Sequence, residues 1–315
     1  MMPVALWAQF APAAGVAGTT AMHADSSAFV AWATGCTIER GPQRIDRPSL
    51  GLANFGEEAL AIGKPGGTMD VVSLGDGGTA TLTFASPIYN GDGPDFAVFE
   101  NGFANALDTT MYFLEIAFVE VSSDGVNFFR FPAVTHVSAE TQLNGSGCIK
   151  PEQIHNFASK YVAMYGTPFD LDEVEDNALL DKNKVTHVRI IDVVGNISPE
   201  YATYDSEGHV VNDPWPTPFG SSGFDLDAVG VIHDLAHNDV PENENVAVAV
   251  YPNPVKDRLT IQAESLQSVE VYNLVGQKLM RSTESVIDLS DLAEGVYFVR
   301  IETSDKTVTK RIVKQ

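Results

Sequence analysis

Leu114-Glu115-Ile116-Ala117-Phe118-Val119-Glu120-Val121, followed by Asp124-Gly125 and then by Phe128-Phe129-Arg130-Phe131, has the strongest strand character in this chain. Both apolar runs are rich in β-branched and aromatic residues, which favour strands over helices. The Asp-Gly pair between them tolerates positive φ angles and closes tight hairpins. This stretch therefore predicts an antiparallel β-hairpin.

Similar short runs recur on both sides of the hairpin, between turns rich in Gly, Asp and Asn. They are Thr79–Phe84, Asp95–Glu100, Val185–Val194 and Ala228–Ile232. Strands at this spacing over residues 25–237 predict an all-β domain, a jelly-roll β-sandwich. We expect helix to be minor and restricted to two segments. Residues 151–161 place Pro151 in a first turn ahead of an apolar face, and residues 170–180 form a shorter candidate.

Residues 246–315 contain a second set of short strand-like runs. They are Leu259–Ile261, Val269–Tyr272, Val296–Ile301 and Val308–Val313. Turn signals at 273–276 and 293–295 separate these runs, which predicts a small, immunoglobulin-like antiparallel β-sandwich. A polar linker at 238–245 precedes it. From these residues alone, an ordinary adhesion module of the same fold is the alternative.

Four features of this segment follow one another in a fixed order. They are Tyr251-Pro252-Asn253-Pro254, Gly276, Gly295-Val296-Tyr297 and the basic end Lys310–Gln315. In this order they resemble the C-terminal sorting domain of the type IX secretion system of Bacteroidetes. The resemblance implies that the type IX machinery recognises the chain, and that the chain is displayed on the outer-membrane surface or released outside the cell.

The larger domain shows two further resemblances. Residues 119–128, 187–192 and 223–231 resemble strands of galactose-binding-like, discoidin-type jelly rolls. Residues 95–103 resemble a stretch shared by a group of uncharacterised bacterial cell-surface proteins. Relatives of that group accompany corrinoid or glycan uptake systems, so this resemblance also implies an accessory role in nutrient uptake.

Charge is distributed unevenly between the two predicted domains. Residues 246–315 hold nine basic and nine acidic side chains, whereas residues 1–245 hold ten basic and 33 acidic ones, the whole net charge of −23. Such a surface repels phosphate backbones, so we expect no nucleic-acid partner. The sequence contains no run of 18 apolar residues, so we expect no membrane-spanning helix. The apolar Met1–Ala8 looks like the end of a secretory signal, and we expect residues up to 24 to form a flexible lead-in.

Acidic and amide side chains near the strands at 95–100 and 225–231 suggest a calcium site. Calcium takes six to eight oxygen ligands from carboxylates, amides and carbonyls. The candidate ligands are Asp92, Asp95, Glu100, Asn101, Asp225 and Asp227. The alternative is a polar turn with solvated acids. The cation hypothesis gains if the strand face that carries Asp225 and Asp227 lies against Asp95 or Glu100.

A long loop at 201–219, interrupted by Gly208 and three prolines, is the candidate ligand surface. Long irregular loops in a compact domain are often functional. The candidate residues are Tyr201, Tyr204, His209, Asn212, Asp213, Trp215 and Phe219. Aromatic rings beside Asn and Asp suit the faces of sugars, and Trp215 is the expected anchor. The alternative is that Trp215 and Phe219 fill the core beneath their own loop.

Two cysteines, Cys36 and Cys148, leave a single disulfide or two free thiols equally open in an exported chain. The sequence lacks a Gly-x-Ser-x-Gly nucleophile elbow, and carboxylates are too abundant for a glycosidase pair to stand out. The sequence therefore favours a secreted or cell-surface protein that binds a glycan or another small amphipathic ligand. A secreted hydrolase acting on glycans or peptides is the alternative.

Overall fold

The structure, a computed structural model, describes residues 10–237, 248–263, 265–273, 276–304 and 307–315. The chain divides into two compact units, Met1–Asn238 and Asp239–Gln315. The predicted signal remnant at 1–8 and the predicted linker at 238–245 lie outside the described residues.

The larger unit is built from sixteen strands in its described part. They are β1 Met22–His23, β2 Ala31–Trp32, β3 Gly35–Glu39, β4 Val72–Ser73, β5 Thr79–Ile88, β6 Phe96–Glu100, β7 Phe103–Ala104, β8 Tyr112–Phe113, β9 Ala117–Ser122, β10 Phe129–Arg130, β11 Val134–Thr135, β12 Ile154–His155, β13 Phe157–Ala158, β14 Tyr165–Phe169, β15 Val185–Asp192 and β16 Asp225–Val231. The helical elements among these residues are single 3₁₀ turns at Pro48–Leu50, Glu58–Ala61, Pro151–Gln153, Leu171–Glu173 and Lys182–Lys184.

Two antiparallel sheets enclose one hydrophobic core. The first has the order β1-β14-β6-β16-β2 with β4 beside β16, and the second has the order β10-β9-β15-β5-β3 with β13 beside β9. Phe96, Val98 and Val229 enter the core from the first sheet, and Val119 and Ile190 enter it from the second. The predicted all-β sandwich is confirmed.

The predicted hairpin at 114–131 is also confirmed. Strands β9 and β10 pair with Phe129 opposite Val121 and Arg130 opposite Glu120. Gly125 has a φ of 73°, the left-handed conformation that the turn requires.

Strands β6 and β16 lie side by side within the first sheet, and every residue of both strands is buried. Their antiparallel register shifts between Leu226 and Ala228, at a bulge that contains Asp227. The bulge lies close to the point where β6 ends at Glu100 and β16 begins at Asp225, so acidic residues meet at one end of a buried strand pair.

The prediction of a helix at 151–161 was wrong. Only Pro151–Gln153 forms a 3₁₀ turn, and the chain then continues as strands β12 and β13. Positive φ angles at Asn156 and Ser159 interrupt any helix there. Strand pairing wins because β13 adds to the edge of β9 and buries Phe157 completely.

The prediction of a second helix at 170–180 was also wrong beyond one turn. Leu171–Glu173 forms a 3₁₀ turn that is capped by the Asp170 side chain, which accepts from the amide of Asp172 at 2.9 Å. Asp95 in turn accepts from the amide of Leu171 at 2.8 Å. This bond fixes the turn against the start of β6.

Residues 10–24 pack against the sandwich, which corrects the predicted flexible lead-in. Phe10 stacks on the rings of His136 and His155, with centroids 4.9 and 5.0 Å away. The Phe10 amide donates to the carbonyl of Glu152, and β1 pairs with β14. The larger domain therefore begins earlier than residue 25.

The smaller unit is a second antiparallel sandwich with its own core. Its strands are β17 Ala249–Tyr251, β18 Arg258–Gln262, β19 Leu266–Tyr272, β20 Lys278–Ser282, β21 Val286–Asp288, β22 Gly295–Thr303 and β23 Thr307–Lys314. They form sheets of order β17-β18-β21 and β20-β19-β22-β23. Alternate residues of β22, including Val299 and Ile301, enter its core.

Lys160 is a buried basic residue whose side chain contacts the non-helical segment 151–161. It is 4% exposed, and its ammonium group donates to the carbonyls of Pro151 and Ile154. Burial lowers the pKa of Lys160 to about 7, although the charge of Glu152 opposes the shift.

We expect the contribution of Lys160 to the free energy of unfolding to increase as the pH rises from about 7 to about 10. The unfolded chain keeps the Lys160 proton in this window whereas the folded chain releases it, so the free energy of unfolding gains up to about 1.4 kcal/mol per pH unit. Urea unfolding at pH 7 and pH 9 should show that the stability difference between wild type and Lys160→Met depends on pH. Lys150→Met, at an exposed position, is the control. A pH-independent effect of Lys160→Met would contradict the assignment.

Candidate functional site

A cleft of about 650 Å³ opens on the larger unit, where β9 and β10 meet the 170–182 segment and the 201–219 loop. Its polar and aromatic lining includes Phe118, Arg130, Asp172, Glu173, Asp176 and Tyr204. The Tyr204 side chain is 52% exposed, which leaves its ring open to a ligand. This is a common volume for a small-molecule site.

Arg130 is held in the cleft wall by a row of charges on the second sheet. Glu120 accepts from Arg130 Nη2 at 2.8 Å and, on its other oxygen, from Arg189 Nε at 2.8 Å. The Arg130 guanidinium also lies 4.3 Å from the centroid of the Phe118 ring. Because two guanidinium groups share one carboxylate, this row retains one net positive charge in a strongly acidic domain.

Two carboxyls of this cleft, those of Glu173 and Asp176, have lowered pKa values. A hydrogen bond from His155, at 3.1 Å, and another from Asn156 outweigh burial and lower the pKa of Glu173. The 2.7 Å contact with Lys182 lowers the pKa of Asp176. Both carboxylates are therefore ionised at neutral pH and serve as hydrogen-bond acceptors.

Asp205 fixes the part of the loop that carries Tyr204. Burial opposes its ionisation, but hydrogen bonds from the amides of Thr135, Glu207 and His209 lower its pKa. The His209 ring lies 3.1 Å from the same carboxylate, at the rim of a separate cavity of about 300 Å³. His209 is therefore near the cleft loop without lining the cleft.

Three of the predicted ligand residues are buried. The Asn212 side chain accepts from the amide of Leu143 and donates to the carbonyls of Ser138 and Thr141, and Asp213 accepts from the amide of Ile116. The third is Trp215.

Trp215 is 8% exposed, and its indole N–H donates to Asp76 at 2.9 Å. The guanidinium of Arg44 covers its ring. This corrects the expectation that Trp215 anchors a ligand, because its ring is covered and its N–H is already bonded.

The remaining aromatic residues of the loop have separate surroundings. Tyr201 is half-buried, and a hydrogen bond with Glu200 raises its pKa. Phe219 is 67% exposed and lies outside the cleft lining. Tyr204 is thus the member of the predicted set that lines the cleft with its ring half-exposed.

The six predicted calcium ligands separate into five places. Asp92 is exposed. Asp95 is bonded to His233 and to the amides of Gly91 and Leu171. The Asp227 carboxylate accepts from the amides of Gly66 and Gly67. Asn101 donates to Asp225 at 2.9 Å, whereas Glu100 pairs with Leu226 and therefore lies on the opposite face of the sheet.

Glu115, Asp192 and Asp213 are also buried, and with Glu100 and Asp225 they form a group of acids whose charges act on one another. Burial raises the pKa of every member of the group, and the charges of the others add to the effect for Glu100, Glu115, Asp192 and Asp213. The pKa of Glu100 rises to about 8 and that of Asp225 to about 6. Within the described ranges, no three His, Cys, Asp or Glu side chains are arranged to hold one metal ion directly.

Sequence reasoning overlooked Glu115 and Asp192 as members of a site. The signal was present, because each is an acid next to β-branched or aliphatic residues in a strand-like run: Leu114-Glu115-Ile116 and Ile191-Asp192-Val193. An acid within such a run is buried only if something compensates its charge.

The two cysteines are free thiols. Cys36 packs against the main core, and burial raises its pKa to about 12. Cys148 lies 3.5 Å from the amide nitrogen of Asn105. The structure thus corresponds to the alternative with two free thiols.

Residues 249–315 match the family described as the secretion system C-terminal sorting domain. The chain is a substrate of the type IX secretion system. The sorting domain directs export to the cell surface or the extracellular space. Among the described residues, no helix is both long and apolar enough to span a membrane.

No curated protein matches the chain. One similar solved structure is described as a biofilm-associated protein, BSP domain. It has 10% sequence identity and a TM-score of 0.18, and the match covers 75% of this chain and 48% of that structure. The chain therefore spans about half the length of this structural neighbour.

We expect removal of residues 239–315 to abolish secretion and to leave the melting of the remaining chain nearly unchanged. The two units have separate hydrophobic cores, so the larger one loses little buried surface. Secretion is measured by immunoblotting of culture medium and cell surface in a type IX-competent host, and stability by calorimetry of the purified truncated chain. Normal secretion of the truncated protein would rule out the sorting role.

We expect Trp215→Ala to lower the free energy of unfolding by about 3–5 kcal/mol, because it removes a buried ring and leaves a cavity. Trp215→Phe should cost less, about 1–3 kcal/mol, since it removes mainly the bond to Asp76. Phe219→Ala, at an exposed position of the same loop, is the control and should change stability by less than about 0.5 kcal/mol. Denaturant unfolding of the three variants tests whether Trp215 is a core residue or a ligand-binding residue. If Trp215 only bound a ligand, Trp215→Ala would leave the free energy of unfolding unchanged.

Proposed function

We propose that this exported protein binds a glycan, or another small ligand rich in hydroxyl groups, in the Tyr204 cleft. The observation that carries the proposal is a half-exposed aromatic ring beside ionised carboxylates and a fixed guanidinium group. A sugar offers an apolar face to a ring and hydroxyl groups to charged acceptors and donors.

The electrostatics of the cleft support binding over hydrolysis. A glycosidase needs one carboxyl with a raised pKa as its general acid and a second that is ionised. Glu173 and Asp176 in the cleft both have lowered pKa values. The described carboxyls whose pKa is most strongly raised, Glu115, Asp192 and Asp213, are buried and lie outside the cleft lining.

Preorganisation of the cleft supports the same conclusion. Arg130 is fixed by Glu120, and Tyr204 is held by an isolated bridge to Val210 across the turn that Asp205 caps. A ligand that binds to groups already held in place loses less conformational entropy on binding.

We expect the purified protein to bind a subset of neutral or weakly charged oligosaccharides on a glycan array. Tyr204→Ala should then weaken the best hit by about tenfold or more, which corresponds to about 1.4 kcal/mol of binding free energy. Its melting temperature should change little, because the side chain is half-exposed. Isothermal titration calorimetry gives the affinity, and Phe219→Ala provides a control at a more exposed aromatic residue of the same loop. Glycan binding that survives Tyr204→Ala, or is lost equally in Phe219→Ala, would exclude this cleft as the site.

A further inference from the structure

A second cavity of the larger unit, of about 490 Å³, lies against β1 and β14 at the edge of the first sheet. Phe10 and Ala11 of the N-terminal segment form part of its wall, together with Met22 of β1 and Pro168 of β14. It is a different space from the Tyr204 cleft, with which it shares one lining residue, Glu173. The lining of this cavity is largely apolar around a single lysine, Lys160.

Lys160 brings a buried amine to this cavity. The residue is 4% exposed, and its Nζ donates to the carbonyl oxygens of Pro151, at 2.6 Å, and of Ile154. The ring centroid of Phe10, on the cavity wall, lies 5.8 Å from Nζ. An ammonium group has three hydrogens to donate, and no carboxylate is among the partners of Lys160 in the described part of the chain. One hydrogen of the charged amine is therefore left for a ligand.

The acidic residues of the same lining are closer to solvent than Lys160. Asp170 is half-buried and caps its own 3₁₀ turn, and Glu173 is exposed. One oxygen of Glu173 already accepts from His155, at 3.1 Å, and from Asn156, at 2.6 Å. Because water screens charges at the surface more than charges in the interior, these acids repel an anion in the cavity less than buried Lys160 attracts it.

The backbone of the segment that carries Lys160 is strained. Asn156, Ser159 and Met164 have φ angles of 53°, 62° and 69°. Residues other than glycine rarely adopt this left-handed conformation, and where they do they cluster at ligand-binding and active sites. Asn156 itself lines the cavity, and Ser159 directly precedes Lys160. The strain therefore lies where the cavity and its amine are formed.

We propose that this cavity binds a small monocarboxylate with an apolar tail, whose carboxylate accepts from the Lys160 ammonium group and whose tail lies against Phe10, Met22 and Pro168. A hydrogen bond between two ionised groups is about twice as strong as one between neutral groups. Burial lowers the pKa of Lys160 to about 7, and a bound carboxylate favours its charged form again. This site is independent of the ligand proposed for the Tyr204 cleft.

The test uses the full chain and two matched pairs of probes, benzoate with benzamide and hexanoate with hexanamide. Each amide has nearly the shape of its acid but lacks the negative charge. Isothermal titration calorimetry at about pH 6.5, below the pKa of Lys160, should show one saturable site per chain for at least one carboxylate. That carboxylate should bind about tenfold or more tightly than its amide.

Lys160→Met should weaken binding of that carboxylate by at least about tenfold, whereas Lys150→Met, at an exposed position, is the matched control and should keep it. Phe10→Ala removes part of the wall and leaves the amine in place, so it should weaken binding by about threefold or more. Tyr204→Ala, in the other cleft, should bind the carboxylate as wild type does.

The comparison of acid with amide in wild type, together with Phe10→Ala, remains decisive if Lys160→Met fails to fold. The absence of saturable binding for both carboxylates would overturn the proposal, and so would an amide that binds as tightly as its acid. Carboxylate binding that Lys160→Met retains, or that Tyr204→Ala loses, would place the ligand elsewhere and overturn it as well.

Discussion

The pairing of β6 with β16 is the constraint on which the rest of the larger unit depends. Both strands are buried along their whole length, so each must satisfy its backbone through neighbours in the sheet and its side chains through the core. β14 pairs with the other side of β6, and β2 and β4 with the other side of β16. Acids stand at both ends of this pair, Asp95 at one end and Glu100 with Asp225 at the other, and each needs a compensating partner.

The two ends satisfy that requirement differently. Asp95 is saturated by the amides of Gly91 and Leu171 and by the ring of His233, so it connects three segments. At the opposite end, Glu100 has an oxygen that no described residue partners, and its neighbour Asp225 is acidic. Residues of one chemical type therefore act as structural connectors at one end and leave one buried acceptor without a donor at the other.

Acids in this protein also differ between surface and interior. Those at the cleft, such as Glu173 and Asp176, are ionised by hydrogen bonds or by a neighbouring lysine, and they remain available to a ligand. Those inside, such as Glu115 and Asp213, face burial and like charges together. The formal charge of −23 is thus a poor guide to the chemistry of any one site, because burial determines which carboxyls are ionised.

The sequence alone determined the β-sandwich, the hairpin at Asp124-Gly125 and the sorting domain, because strand periodicity, turn residues and an ordered motif are local properties. Only the tertiary structure decided that residues 151–161 form strands, since pairing with β9 outweighs the helical pattern of that segment. Only the tertiary structure decided that Trp215 is covered by Arg44 and bonded to Asp76, that Tyr204 faces a cleft, and that Glu115 joins the acids of β6 and β16. Those outcomes depend on contacts between residues far apart in the chain, such as the 139 positions between Asp76 and Trp215, which local sequence patterns do not encode.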